Sequence, residues 1–201
     1  MSLEHAILGF LSSRPRSGYD LKTRCFDIEA KAFWSADQAQ IYRTLERLSS
    51  ARLVSSSRRR QSGKPDRILY EITEAGRDAF ARWETTPAPL PSTRDAFLLQ
   101  VYFAGAASDD AIVALLADRR AAHQARLKDL RDANVELSRD ATVPARIAAM
   151  RHAAYDGAIA RERASIDWLD DILEAISAGH LPEAENSSSG TRNPLFGWAQ
   201  A

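Results

Sequence analysis

Gln40, Arg43 and Arg47 follow one another at three- and four-residue spacing with Tyr42 beside them, and Arg58, Arg59, Arg60, Lys64 and Arg67 place five cations within ten residues around Gly63. A glutamine amide pairs bidentately with adenine, and a guanidinium with guanine, each worth about 1–3 kcal/mol of discrimination. A cluster of cations attracts phosphates with little regard for sequence. This set therefore suits recognition of a polyanion with base edges better than it suits catalysis. Catalytic patterns are missing. The four histidines, His5, His123, His152 and His180, are scattered, and the one cysteine, Cys25, has no partner for a CxxC pair. No metal site is expected. Neither a glycine-rich phosphate loop nor a Gly-x-Ser-x-Gly elbow occurs, so neither an enzyme nor a cofactor is expected. Asp170-Asp171 reads as a solvated helix face, and Cys25 as an inert packed thiol. His123 and His152 read as packed or solvated side chains, with pH sensing as the sharper alternative.

These groups need a rigid frame. The chain has 201 residues, 45% apolar and 27% charged, with zero net charge. The balance is uneven: residues 1–85 hold 15 Lys and Arg against 11 Asp and Glu, and the remainder holds 12 against 16. No apolar run approaches the ~20 residues that span a bilayer, and the opening residues lack a basic n-region, so a cytoplasmic protein is expected. Leu3, Ala6, Ile7, Phe10 and Leu11 share one face of a first helix that Pro15 ends. Ser17 and Asp20 form a capping pair for a short second helix. A third starts at Ser35, with Ile41, Leu45 and Leu48 inward, and runs to about Ala51. At about 100° per residue, Ala36, Ala39, Gln40, Arg43 and Arg47 then face outward. Small Ala36 and Ala39 let the helix start approach a groove floor, where alanine methyls meet thymine methyls. Tyr42 lies beside this face, with its hydroxyl placed for a phosphate, and Arg47 sits a turn further along, toward backbone or solvent.

Leu53-Val54 and the alternating Ile68, Tyr70 and Ile72 predict a hairpin whose turn is Ser62-Gly63-Lys64-Pro65-Asp66. Its tip would offer Arg58, Gly63, Lys64 and Arg67 to a sugar-phosphate rail. Thr73 caps a fourth helix, with Ala79, Phe80 and Trp83 toward the core, and Pro87, Pro89 and Pro91 break the chain. The free amides of Ser17, Gly18 and Tyr19 suit a phosphate. Tyr19 is either a further hydroxyl contact or a core aromatic. Beyond the prolines the pattern is helical. One seam runs through Ile112, Leu116, His123, Leu127, Leu130, Asn134 and Leu137, and another through Ile147 to Ile176. Seams this long and narrow predict contact with a second subunit. The expected fold is mostly α: a winged helix-turn-helix over 1–86, a helical dimerisation and effector domain over 92–177, and a flexible tail over 178–201.

Leu3-Glu4-His5-Ala6-Ile7-Leu8-Gly9-Phe10-Leu11, Ser17-Gly18-Tyr19-Asp20-Leu21, Phe33-Trp34-Ser35-Ala36, Gln40-Ile41-Tyr42 and Leu69-Tyr70-Glu71-Ile72-Thr73-Glu74-Ala75-Gly76 resemble, in that order, the PadR family of transcriptional regulators. Asp95 to Phe103, and Glu162-Arg163 through Trp168-Leu169, extend the resemblance to about residue 177, within the subgroup that has the larger C-terminal helical domain. The resemblance implies a homodimer joined through its C-terminal helices. It also implies binding to a pseudo-palindromic operator in double-stranded DNA, usually as a repressor, in some members released by a phenolic or other aromatic compound. It makes Trp34, Tyr102, Phe103 and Trp168 candidates for stacking on such an effector. A winged-helix protein-interaction module without DNA binding is the rival reading.

Overall fold

The computed structural model describes residues 2–61, 64–90, 94–137 and 143–180. They fall into two compact units, Met1–Pro91 and Ser92–Ala201. The first opens with α1 (Ser2–Ser13), whose Ile7, Leu8 and Leu11 are fully buried. After Pro15, the chain makes a two-bond β-bridge, Arg16 with Tyr70, that adds a short third segment to the edge of the hairpin. α2 (Gly18–Asp20) then starts on a reciprocal capping box between Ser17 and Asp20. It continues as a wider π-type winding over Leu21–Glu29, closed by Ala30 N–H donating to the Cys25 carbonyl at 2.7 Å. Leu21, Cys25 and Phe26 fill its inner face. Burial pushes the Cys25 thiol up to about 12, so it is an unreactive packing group.

α3 (Gln38–Ser50) begins two residues later than the sequence suggests: Asp37, not Ser35, is the cap. Asp37 Oδ1 accepts from Gln40 N–H at 2.7 Å, and Gln40 Oε1 accepts from Asp37 N–H at 3.1 Å. Ile41, Thr44, Leu45 and Leu48 pack inward. The helix stops where Arg52 takes a left-handed φ of 57° and Leu53 N–H bonds back to the Leu48 carbonyl at 2.9 Å. That reversal launches β1 (Val54–Gln61), antiparallel to β2 (Lys64–Ile72), in register from Val54 opposite Ile72 to Arg59 opposite Arg67. The strands are longer than expected, and Lys64, Pro65 and Asp66 belong to β2 rather than to the turn. Tyr70 and Ile72 reach the core, whereas Ile68 is 44% exposed, because the outer half of the hairpin passes beyond the helices. α4 (Glu74–Thr85) is capped by Thr73. Ala79 and Phe80 pack on the core, but Trp83 stays on the surface and stacks on His5, with ring centroids 5.0 Å apart.

In the second unit, Asp95 caps α5 (Ala96–Phe103), and a 3₁₀ turn (Ala104–Ala106) leads to α6 (Asp109–Leu137) and then α7 (Ala145–Ser177). α6 and α7 lie against each other, burying Leu116, Leu127 and Leu130 on one side and Tyr155, Ile159, Ile166 and Leu169 on the other. Polar rungs cross the same seam. Arg120 pairs with Asp170, His123 and Arg126 both hold Glu162, and Asn134 bridges His152 and Asp156. The α6 seam that predicted a second subunit is thus covered within the chain, and His123 on α6 and His152 on α7 are rung-formers. Of the expected tail, residues 181–201 lie outside the described residues.

Candidate nucleic-acid interface

The outer side of α3 is open. Gln38, Ala39, Gln40, Tyr42, Arg43, Glu46 and Arg47 are all exposed, while the inward set is buried. Its polar groups are held in place by their own neighbours. Gln40 spends its carbonyl on the cap, which leaves its Nε2 hydrogens as the donors it has to offer. Arg43 Nε donates to the Ala39 carbonyl at 3.3 Å. Arg47 reaches Glu4 on α1 at 2.9 Å rather than standing free. Ala36 departs from expectation: it precedes the helix and is 4% exposed in the core, so it cannot touch a groove floor. Its position follows from the later cap, which puts Ser35 and Ala36 in the lead-in rather than in the first turn.

At the start of α2, the expected phosphate seat is partly taken by the protein's own anion. Asp20 Oδ2 accepts from Ser17 N–H at 3.1 Å and from Ser17 Oγ–H at 2.8 Å, and Arg67 of β2 closes on the same carboxylate. Burial pushes the Asp20 carboxyl up, but the Ser17 hydrogen bonds and the Arg67 guanidinium outweigh it and hold it below its ordinary value. Ser17 is 5% exposed with its hydroxyl engaged, so it is a structural cap and not a phosphate ligand. Arg67, expected on the phosphate rail, instead ties the hairpin to α2. Tyr19 resolves toward the surface at 62% exposure. Tyr42 lies with its ring over Gly18, where a methyl group would come within 2.7 Å of it, and keeps an exposed edge. Tyr42 therefore packs α3 against the start of α2. Arg58 and Arg59 are exposed on β1. Gly63 and the Lys64 side chain lie outside the described residues.

A groove of roughly 900 Å³ runs beside α3, lined by Leu3, Trp34, Ser35, Gln40, Arg43 and Arg47 among others. Trp34 is 40% exposed there. Tyr102 and Phe103 are exposed on α5, with ring centroids 4.9 Å apart, and Trp168 meets Phe97 edge-on at 6.2 Å. Trp34 belongs to the first unit and the other three aromatics to the second. Sequence reading missed the pairing of Glu4 with Arg47, of Asp20 with Arg67, and the role of Asp37 as the α3 cap. Only Asp20 and Asp37 carried a local signal, an acid three residues from a capping partner. Among the described residues, no group of three or more metal-ligating side chains forms, and no helix is long and apolar enough to cross a membrane.

Three helices, a hairpin and a returning helix, with the third helix bare on its polar side, define a winged helix-turn-helix followed by a helical region. Residues 7–82 match the transcriptional regulator PadR-like family, and residues 93–177 match the family described as virulence activator alpha C-term. A probable transcriptional regulator of Mycobacterium tuberculosis is 34% identical over 190 residues, covering 88% of this chain and 98% of that one. The negative transcriptional regulator PadR of Bacillus subtilis is 32% identical over 178 residues, covering 87% and 97%. The crystal structure of Bacillus subtilis PadR in complex with operator DNA superposes with a TM-score of 0.76 at 29% identity, over 88% of this chain and 99% of that one. The same protein in complex with p-coumaric acid gives 0.72 at 28% identity, over 88% and 99%. The chain belongs to the PadR family, and it is a transcriptional regulator of the PadR type, not an enzyme.

Proposed function

We propose that this regulator is a cytoplasmic, homodimeric, ligand-responsive repressor that binds a pseudo-palindromic operator through α3 and the hairpin. One observation carries the reading: the polar side of α3 is uncovered, beside a hairpin that carries exposed arginines. Arg43 is the principal base reader, suited to guanine O6 and N7. Gln40, with its carbonyl engaged by Asp37, offers donors to acceptor atoms on a neighbouring base, and Ala39 meets a thymine methyl. The hydroxyls of Tyr42 and Tyr19 take phosphates, as do Arg58 and Lys64, which set orientation and affinity rather than sequence. Two-fold symmetry puts the half-sites roughly one helical turn apart, or a multiple of it.

Dimerisation rests on the second unit. Leu98, Leu99, Tyr102 and Phe103 on α5, and Ile147 and Met150 on α7, expose apolar area that a solvated monomer has no reason to keep. Repression is supported by the negative regulator of Bacillus subtilis, and response to an aromatic acid by that relative's complex with p-coumaric acid. Trp34, Tyr102, Phe103 and Trp168 are the candidates for stacking on it. The test is a gel shift on the DNA upstream of the chain's own reading frame, with Arg43→Ala and Lys64→Ala beside the wild type. Arg43→Ala should relax preference at one base pair per half-site, and Lys64→Ala should weaken binding to every sequence and flatten the salt slope by about 0.9. Absence of a shifted band at low salt, or equal losses on all base variants for both changes, would overturn the reading.

A further inference from the structure

Glu4 occupies the first turn of α1, and its Oε1 forms an ion pair with Nη2 of Arg47, in the last turn of α3, at 2.9 Å. The two ends differ. The Glu4 side chain is 27% exposed, whereas that of Arg47 is 66% exposed. Among the side chains exposed on this face, Gln40 is restrained by the Asp37 backbone and Arg43 by the Ala39 carbonyl, both neutral partners. Arg47 is restrained by an opposite charge, so a phosphate approaching it meets a pair whose net charge is zero.

We propose that Glu4 is a specificity-determining residue that acts through Arg47. It holds the guanidinium against α1 and keeps it out of the phosphate contacts that any duplex could offer. Affinity for non-operator DNA is thereby lowered, and base discrimination is left to Arg43 and its neighbours. The inference rests on the reading of α3 as the DNA-contacting helix. It adds that one of the helix's outward cations is silent in the bound state. Because counterion release scales with the number of phosphates neutralised, the silence has a direct signature in salt dependence.

The experiment measures binding of the full-length chain to a duplex of unrelated sequence and to its operator, from low to high salt, for four proteins: wild type, Glu4→Gln, Arg47→Ala and the double variant. Glu4→Ala serves as a second release variant, and thermal midpoints check that each protein is folded. Freed Arg47 adds one phosphate contact. Glu4→Gln should therefore steepen the slope of log K against log salt by about 0.9 and tighten binding to unrelated DNA roughly fivefold near 0.15 M salt. The ratio of operator to unrelated affinity should not rise. Arg47→Ala alone should leave the wild-type slope unchanged, and Glu4→Gln should then add nothing in the Arg47→Ala background. Three results would overturn the proposal: an unchanged slope in both release variants, an equal gain without Arg47, which would be a general effect of the added charge, or a slope flattened by Arg47→Ala alone. A wild type that binds no duplex would instead remove the underlying reading, and this one with it.

Discussion

Gly76 lies buried in the first turn of α4, where a methyl group would sit 2.1 Å from the carbonyl oxygen of Leu53 and 2.8 Å from Ile72 Cγ1. Ordinary contact requires more than 3 Å, so α4 and the start of β1 must separate by about 1 Å. The obstacle is backbone, and it is itself bonded: the Leu53 carbonyl accepts from Thr73 N–H at 3.1 Å and from Thr73 Oγ1 at 3.0 Å. Overpacking against a rigid partner costs about 1–3 kcal/mol, and the strained or lost hydrogen bonds cost about 1 kcal/mol each. Alanine recovers about 1 kcal/mol of helix propensity. The net for Gly76→Ala is a loss of roughly 2–4 kcal/mol. At about 4–8 °C per kcal/mol for a unit of this size, that is a fall of roughly 8–32 °C in Tm. Circular dichroism melts and urea midpoints measure it. Gly157→Ala in α7, where the added methyl meets nothing within 4 Å, is the control and should gain up to about 1 kcal/mol. A Gly76→Ala protein melting within about 3 °C of wild type would refute the steric argument, as would a Gly157→Ala protein that loses more.

Two further outcomes concern the frame of the interface. Asp20 has a folded-state pKa below its ordinary value, so its contribution is complete above about pH 4 and is lost as pH falls through the folded value. Asp20→Asn should lower the urea midpoint at pH 7, with a cost of about 1–3 kcal/mol, and the gap to wild type should narrow by pH 3; a gap of constant size would show that the charge is irrelevant. Asp37→Ala should cost about 0.5–2 kcal/mol through loss of the α3 cap, and Asp37→Ser should recover most of it; equal midpoints for all three proteins would place the cap elsewhere.

What the residues disclosed in advance follows the range of the forces involved. The Ser17–Asp20 box and the Thr73 cap are contacts three residues apart, and their sequence signature is the contact itself. The start of α3 was ambiguous because Ser35 and Asp37 are both competent caps. The tie is broken by Gln40 bonding back to Asp37 and by Ala36 entering a core built from distant elements. The α6 periodicity correctly marks a covered stripe, but periodicity carries no address. α7 covers it in the same chain, with Glu162 and Asp170 supplying the partners of His123, Arg126 and Arg120. Within the second unit, Tyr102 and Phe103 on α5 stay exposed among the described residues. Arg47 and Arg67 show the same limit at the interface. Each reads as a free cation in the sequence, and each meets a carboxylate from another element, Glu4 in one case and Asp20 in the other. A count of cations in the sequence thus overstates the charge available to a phosphate backbone, and the salt slope of DNA binding should be smaller than that count suggests.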